Sequence, residues 1–334
     1  MKESFADSLR CPACERSEWR LSIRSSDARE VREGELACGP CGRRFAIERG
    51  IVDFLDPQDD GLAREIRGWH EMAGALEESL VPTMTALPWY PHEPWIHVAP
   101  DFFQLFEHVD FADRRIVDIG AGRTWSSRFL MTVGRARELV AVDVLKKRFL
   151  GLETADVFFD QDGIFFERLC GDVHRLPIRD GWADVVFSCA AIHHSPDPVK
   201  LFREAWRVLK PGGFFVFISE PVKKESISAR QPDNEETRHG INEHIYSFAE
   251  YRDAWRAAGF RGRQLSPRTV RYRALYPDAE FHQGLPPAVV HLMGSTRGRR
   301  LLARLLRGRL TGPLVYRYAS LPLTGIVRKQ ATTR

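Results

Sequence analysis

The stretch IVDIGAGRTW occupies residues 116–125. Three of its first four residues are branched and apolar, as in a buried strand, and the chain then passes through Gly120 and Gly122. Glycines at such a turn let the backbone approach a ligand closely, and the helix that follows offers free N–H groups. A dinucleotide loop of the form G-x-G-x-x-G would need its third glycine at position 125, which is Trp125. The ligand of this turn is therefore not expected to be a dinucleotide.

Outward from this turn, apolar runs recur at 115–119, 138–142, 164–169, 184–189 and 213–218. Helical segments separate them, such as 198–210, where Val199, Phe202, Ala205, Trp206 and Leu209 repeat at helical spacing. That alternation predicts a parallel sheet covered on both faces. Three acids fall at three consecutive strand ends. Asp118 sits inside the motif, where a carboxylate can face a cationic ligand. Asp143 ends "ELVAVDV", where its two oxygens suit the hydroxyls of a ribose, and Asp172 in "CGDVHRLPI" can accept from an adenine amino group. Taken singly, each can also be read as a solvated strand end or a helix cap; in register they describe a ligand with a ribose, an adenine and a positive charge.

With these pieces, residues 115–219 resemble a class I S-adenosylmethionine-dependent methyltransferase of the small-molecule type seen in quinone and glycan biosynthesis. The resemblance is carried by "VDIGAG", "AVDV", "GDVHRLPI", "WADVVFSCAAIHH" and "EAWRVLKPGGFFVFI". It implies an α/β fold, a doubly wound, mostly parallel seven-stranded sheet of Rossmann-like type, over about residues 113–278. It also implies that S-adenosyl-L-methionine is held by Asp118, Gly120, Ala121, Gly122, Thr124, Asp143, Val144, Asp172, Val173 and Cys189. Thr124 stands where the family usually has a third glycine, and its hydroxyl is expected to cap the helix and face the ligand. His193 and His194 end the fourth strand and are the candidate catalytic bases. The Asn/Asp-Pro-Pro-Tyr motif of amino-nitrogen methyltransferases does not occur there, which disfavours exocyclic base amines as acceptors. Residues 220–248 fall where the family inserts substrate-binding segments, with Glu243, His244 and Tyr246 as the candidate substrate cluster.

The N-terminal 55 residues carry Cys11 and Cys14, then Cys38 and Cys41, two C-x2-C pairs separated by 23 residues. That spacing predicts a self-contained zinc ribbon with Zn²⁺ in a structural role, since four cysteines leave no open coordination position. Cys170 and Cys189 lie alone in apolar runs, as small buried hydrophobes do. Residues 56–61 read as a linker and 62–112 as a helical cap rich in aromatics, among them Trp69, Tyr90, Trp95 and Phe102.

At 334 residues with 43% hydrophobic and 28% charged residues, the chain has the make-up of a soluble globular protein. Its net charge of +4 is unevenly placed: residues 281–334 hold ten Lys or Arg and no acid, leaving 39 basic against 45 acidic side chains before them. Within that basic extension (279–334), "RRLLARLLRGRL" places Leu301, Leu302, Leu305 and Leu306 on one side of a helix and Arg300, Arg304 and Arg307 on the other. Such a helix either packs on the domain, lies on an anionic membrane surface or grips RNA phosphates. No apolar run is long enough to span a bilayer, and the expected location is cytoplasmic, with peripheral contact at the inner membrane face as a further option. The expected partner is a small-molecule methyl acceptor. An RNA methyltransferase that grips RNA with its ribbon and basic tail, and a module that binds the cofactor without turnover, are the alternatives.

Overall fold

The computed structural model describes residues 1–56, 58–73, 86–89, 98–223, 232–268, 286–319 and 321–331. In chain order these give β1 (Trp19–Ser26), β2 (Val31–Cys38), β3 (Arg44–Glu48) and β4 (Ile51–Asp53), then α1 (Asp60–Ala73) and α2 (Val98–Gln104). The central segment alternates β5 (Arg115–Ile119), α3 (Trp125–Thr132), β6 (Glu138–Asp143), α4 (Ala155–Asp162), β7 (Glu167–Cys170), β8 (Ala183–Cys189), α5 (Pro198–Val208) and β9 (Leu209–Glu220). After it come β10 (Val222–Lys223), α6 (Glu235–Arg238), β11 (Tyr246–Ser247), α7 (Phe248–Ala257), β12 (Arg261–Leu265), α8 (Pro287–Met293), α9 (Thr296–Arg307), α10 (Thr311–Tyr318) and β13 (Leu323–Arg328).

The expected sheet is present in the order β7-β6-β5-β8-β9-β13-β12, with β5 to β9 parallel and β13 antiparallel to both neighbours. Its strands are buried on both faces, so they read as continuous apolar runs such as Ile116, Val117 and Ile119. Two segments expected to stand apart from this sheet are part of it. β13 comes from the basic extension and pairs Val327 with Phe215 of β9. At the other edge, β4 runs parallel to β7 (Val52 opposite Leu169) and β1 to β3 continue outward from it, which makes eleven strands in all. The physical reason is that β7 would otherwise leave an open edge, and the buried Ile51, Val52 and Phe54 cover it. A fully buried Arg168 on β7 fixes the join, donating to the Glu30 carboxylate, to Arg49 O (2.9 Å) and to Asp156 (2.7 Å).

Trp125, which breaks the glycine pattern, is a core residue. It is 4% exposed and meets Phe102 of α2 edge-on at 5.1 Å, and Phe102 in turn meets Phe187 of β8. The aromatics of 62–112 thus pack one flank of the sheet; Tyr90 and Trp95 lie outside the described residues. On α9, Leu302 and Leu306 are buried against the domain, Leu305 is half-buried and Leu301 is exposed, so the stripe is narrower than the helical wheel suggests. Gln264 of β12 donates to Leu306 O at 3.1 Å and pins the same helix. Leu302 and Leu306 are spent on packing. Among the described residues, no helix is long and apolar enough to cross a membrane.

Candidate functional site

A cavity of about 390 Å³ opens at the C-terminal ends of β5, β6, β7 and β8, where the strand order reverses on either side of β5. Its floor is the turn singled out in the sequence. Gly120 has φ +65°, and a Cβ there would stand 2.3 Å from that of Ala191, so only glycine fits. Gly122, at φ +47°, donates its amide to Asp143 Oδ2 (2.7 Å), while the Leu145 amide reaches Oδ1 (2.8 Å). The Asp143 carboxylate is therefore pinned in the wall with a lone pair to spare on each oxygen, although burial raises its pKa against the pull of those amides.

Asp172 also lines the cavity. Its Oδ1 accepts from the amide (2.8 Å) and ring Nδ1 (2.7 Å) of His174, whose Nε2 lies 2.6 Å from Ser195 Oγ. Burial works against ionisation of Asp172, but the bonds to His174 outweigh it and hold the group below the usual carboxylate range. Ala121, Val144, Val173 and Cys189 stand in the same wall.

Asp118 and Thr124 do not. Asp118 is 1% exposed and sits beneath the loop, where its Oδ2 accepts from the hydroxyls of Ser126 (2.6 Å) and Ser127 (2.7 Å) in the first turn of α3. Burial pushes it up to about 7, and Oδ1 has no partner among the described residues. The third carboxylate of the expected trio thus anchors the loop instead of facing a ligand. Thr124 adopts φ +58° with its side chain buried; it makes no cap, and its hydroxyl has no partner among the described residues.

Apart from His194, the roof comes from places that the sequence motifs did not mark. Helix α1 turns Leu62, Glu65 and Trp69 into the cavity. Glu65 is 9% exposed and accepts from Asn242 Nδ2 (2.8 Å); burial pushes its carboxyl up to about 7. Of the two histidines, only His194 reaches the cavity. Its Nδ1 lies 2.6 Å from Asn242 O and must carry the proton there, which leaves the Nε2 lone pair uncommitted, and its ring meets Trp69 edge-on at 5.5 Å. Burial and the neighbouring His193 draw its pKa down to about 4, so it stands neutral. His193 is turned away, with Nδ1 2.9 Å from the buried Glu220. The expected substrate cluster lies behind the wall. Glu243 is buried, Tyr246 donates its hydroxyl to Ser195 O (2.6 Å), and the His244 ring stacks on Tyr246 at 6.0 Å. The neighbouring Asn242 is the residue presented to the cavity.

Glu65, Trp69, Ser195 and Asn242 belong to no motif, and His174 lies in GDVHRLPI without being singled out there. A polar residue on one helix turn looks the same in sequence whether it faces water or a cavity. The one available signal was the aromatic excess of 62–112, which includes Trp69.

At the far edge of the sheet, the four ribbon sulfurs lie within 4.8 Å of one another, with Cys11 Sγ to Cys41 Sγ at 3.8 Å and Cys14 Sγ to Cys38 Sγ at 3.5 Å. The amides of Ala13 and Cys14 point at Cys11, that of Cys41 at Cys38, and that of Arg43 at Cys41.

Residues 117–217 match a family model described as a methyltransferase domain. Among curated proteins the chain is similar to a malonyl-[acyl-carrier protein] O-methyltransferase of Methylovorus sp., 30% identical over 132 residues, which are 38% of this chain and 44% of that one. It is also similar to a dimethylglycine N-methyltransferase of Parasynechococcus marenigrum, 34% identical over 34% of this chain and 39% of the other. The chain spans less than half the length of the curated relatives it matches first. Among solved structures, a chain from the complex of the Haloferax volcanii Trm112 methyltransferase activator with a methyltransferase aligns over 82% of this chain and all of its own length, at 22% identity and a TM-score of 0.49.

Proposed function

From the match of residues 117–217 to a methyltransferase-domain model, we propose that the whole protein is a class I enzyme that transfers a methyl group from S-adenosylmethionine to an oxygen, carbon or nitrogen of a small or lipid- or glycan-linked metabolite. The observation that carries this reading is the pinned Asp143 carboxylate above the Gly120–Gly122 turn, in a cavity of about 390 Å³. The residues fit the cofactor. Asp143 has acceptor capacity for two ribose hydroxyls, Asp172 has Oδ2 unengaged among the described residues for an adenine amino group, and Gly122 leaves open space where a side chain would stand.

S-adenosylmethionine, when bound, supplies a methyl carbon made electrophilic by a sulfonium. The protein then has to align the acceptor with that carbon and exclude water. Helix α1 does the second with Leu62 and Trp69 over the opening. His194 is the candidate base, because its Nε2 is uncommitted and its ring is held by Asn242 O. Glu65 sits across from it through Asn242 and adds an acidic group to the acceptor side.

The ribbon favours a small acceptor over RNA. Arg29, Arg32, Arg43, Arg44 and Arg49 each pair with a carboxylate of the same chain, at 2.6 to 3.5 Å, so its cations are largely neutralised before any phosphate arrives. We further assign Zn²⁺ to the four cysteines, since a tetrahedral site with Zn–S near 2.3 Å has edges of about 3.8 Å, close to the sulfur separations found. Its role is structural.

Calorimetric titration with S-adenosylmethionine tests the reading. A saturable heat that Asp143→Ala abolishes is expected, and no heat from the folded protein overturns it. For the ribbon, elemental analysis should find zinc, and substitution of Cys14 by Ser should release it.

A further inference from the structure

Far from the cavity's chemistry, the outer side of the α9–α10 hairpin leaves apolar surface uncovered. Eight large hydrophobic side chains are exposed among the described residues, and four of them lie between residues 301 and 318: Leu301, Leu310 (88%), Leu314 (55%) and Tyr318 (58%). The other four, such as Val133 and Trp206, come from separate elements, as single exposed hydrophobes do on any soluble surface. The helical wheel pointed to the leucines of α9, but Leu302 and Leu306 pack inward, and the uncovered row belongs chiefly to α10. Its inner side is fixed by the buried Gly312 and Tyr316, with the Tyr316 ring stacked on Phe248 of α7 at 5.1 Å. Leu314 and Tyr318 each stand two residues, about 200°, from Tyr316 and therefore point away from the domain. Leu310 precedes α10 with helical angles (φ −99°, ψ −40°) and extends the same row at a spacing of four. The elbow that carries it is held by Thr311, whose hydroxyl donates to Leu305 O at 2.6 Å.

The charge around this row has one sign. Arg300, Arg304, Arg307 and Arg309 are exposed, none of them ion-paired among the described residues, and residues 281–334 contain no Asp or Glu. A second copy of the chain is a poor occupant, because a two-fold contact would set these arginines against themselves. RNA would take the arginines and leave Leu310 and Leu314 in water. An anionic bilayer satisfies both sets of groups: acyl chains take the leucines, the headgroup layer takes Tyr318 with its apolar ring and polar tip, and lipid phosphates take the arginines. We propose that the α9–α10 elbow docks on a membrane surface rich in anionic lipid, with Leu310, Leu314 and Tyr318 set among the headgroups and Arg300, Arg304 and Arg309 on lipid phosphates. The contact is peripheral, since α10 has eight residues and a spanning helix needs about 20.

This surface stands independently of methyl transfer, and its test uses no cofactor. Full-length protein is sedimented with vesicles of phosphatidylcholine alone, and with vesicles in which about one lipid in three is phosphatidylglycerol. Binding to the anionic vesicles is expected, weakened by salt and at least about tenfold tighter than to phosphatidylcholine. Leu310→Ser with Leu314→Ser, at exposed positions outside the core, should weaken it by about tenfold or more. Arg304→Gln with Arg309→Gln should weaken it and flatten its salt dependence. No sedimentation with anionic vesicles overturns the proposal, and so does binding that the folded leucine variant keeps in full, which would be charge attraction alone. Retention on total RNA in place of vesicles, or a dimer in vesicle-free solution that the leucine variant dissolves, assigns the face to another occupant and overturns it as well.

Discussion

The floor and the roof of the cavity are built on different plans. The floor joins residues 118–145 of a single strand–helix–strand unit, and its key contacts are backbone amides on one carboxylate, Asp143. The roof joins Glu65, His194 and Asn242, brought from three segments by side-chain contacts such as Asn242 to Glu65, which are 177 residues apart. A floor held by the backbone has one geometry to offer and suits an invariant ligand. A roof of side chains can be altered one residue at a time, and suits a variable one. Cofactor affinity should therefore follow the floor, and turnover and acceptor choice the roof.

The largest effect expected from this division is at Asp143. Replacing it with Ala removes two hydrogen bonds to a charged group, each worth about 1.5–3 kcal/mol, so the Kd for S-adenosylmethionine should rise by about 10²–10⁴-fold. Turnover at saturating cofactor should change far less. Calorimetry on the variant and on Asp143→Asn checks this, and a change below about threefold in both would sink the division between floor and roof.

The same division explains what could be read from the sequence. Floor residues advertise themselves because a turn that must pass φ +65° beside Ala191 admits only glycine, and because acids recur at or just after consecutive strand ends. Asp118 shared that signature yet serves Ser126 and Ser127, since an acid at a strand end looks alike whether it faces a ligand or the helix behind. Among the roof residues His194 was legible at a strand end, but Glu65 and Asn242 leave no such trace. Glu65 matters only because α1 folds over the sheet, and Asn242 carries no sequence signal beside its more reactive neighbours Glu243 and His244. The ribbon's cysteines were legible, but its strands were not readable as an extension of the main sheet. That pairing depends on β7 having an open edge and on the buried Arg168–Glu30 contact, neither of which has a local pattern.

A roof residue should show the opposite profile to Asp143. His194→Gln keeps a polar side chain but loses the imidazole base, and kcat should fall by about 10²-fold while the cofactor Kd stays within about threefold. Steady-state kinetics with a working acceptor, paired with calorimetry, separates the two. A variant that binds cofactor poorly yet turns over normally would mean that His194 belongs to the floor.

Glu65 sharpens the comparison most finely, because it faces the cavity from the roof yet carries charge that the cofactor can feel. Its carboxyl, raised to about 7 by burial, is mostly neutral at pH 6 and mostly ionised at pH 8. S-adenosylmethionine carries a positive sulfur and S-adenosylhomocysteine does not, while most of their other groups are shared. The ratio of their Kd values should therefore shift toward the sulfonium as pH rises through 7, by up to about tenfold. Glu65→Gln should flatten that dependence. Without ligand the sign reverses: a raised acid pKa stabilises the fold only where the group is protonated. That contribution is complete below the ordinary carboxylate range and is lost as pH rises through about 7. The free wild-type protein should therefore lose more thermal stability between pH 5 and pH 8 than Glu65→Gln does. If the ligand ratio keeps its slope in that variant, the charge sensed by the sulfonium lies in the floor, where burial raises Asp118 to about 7 and raises Asp143 as well. The roof would then govern the acceptor alone.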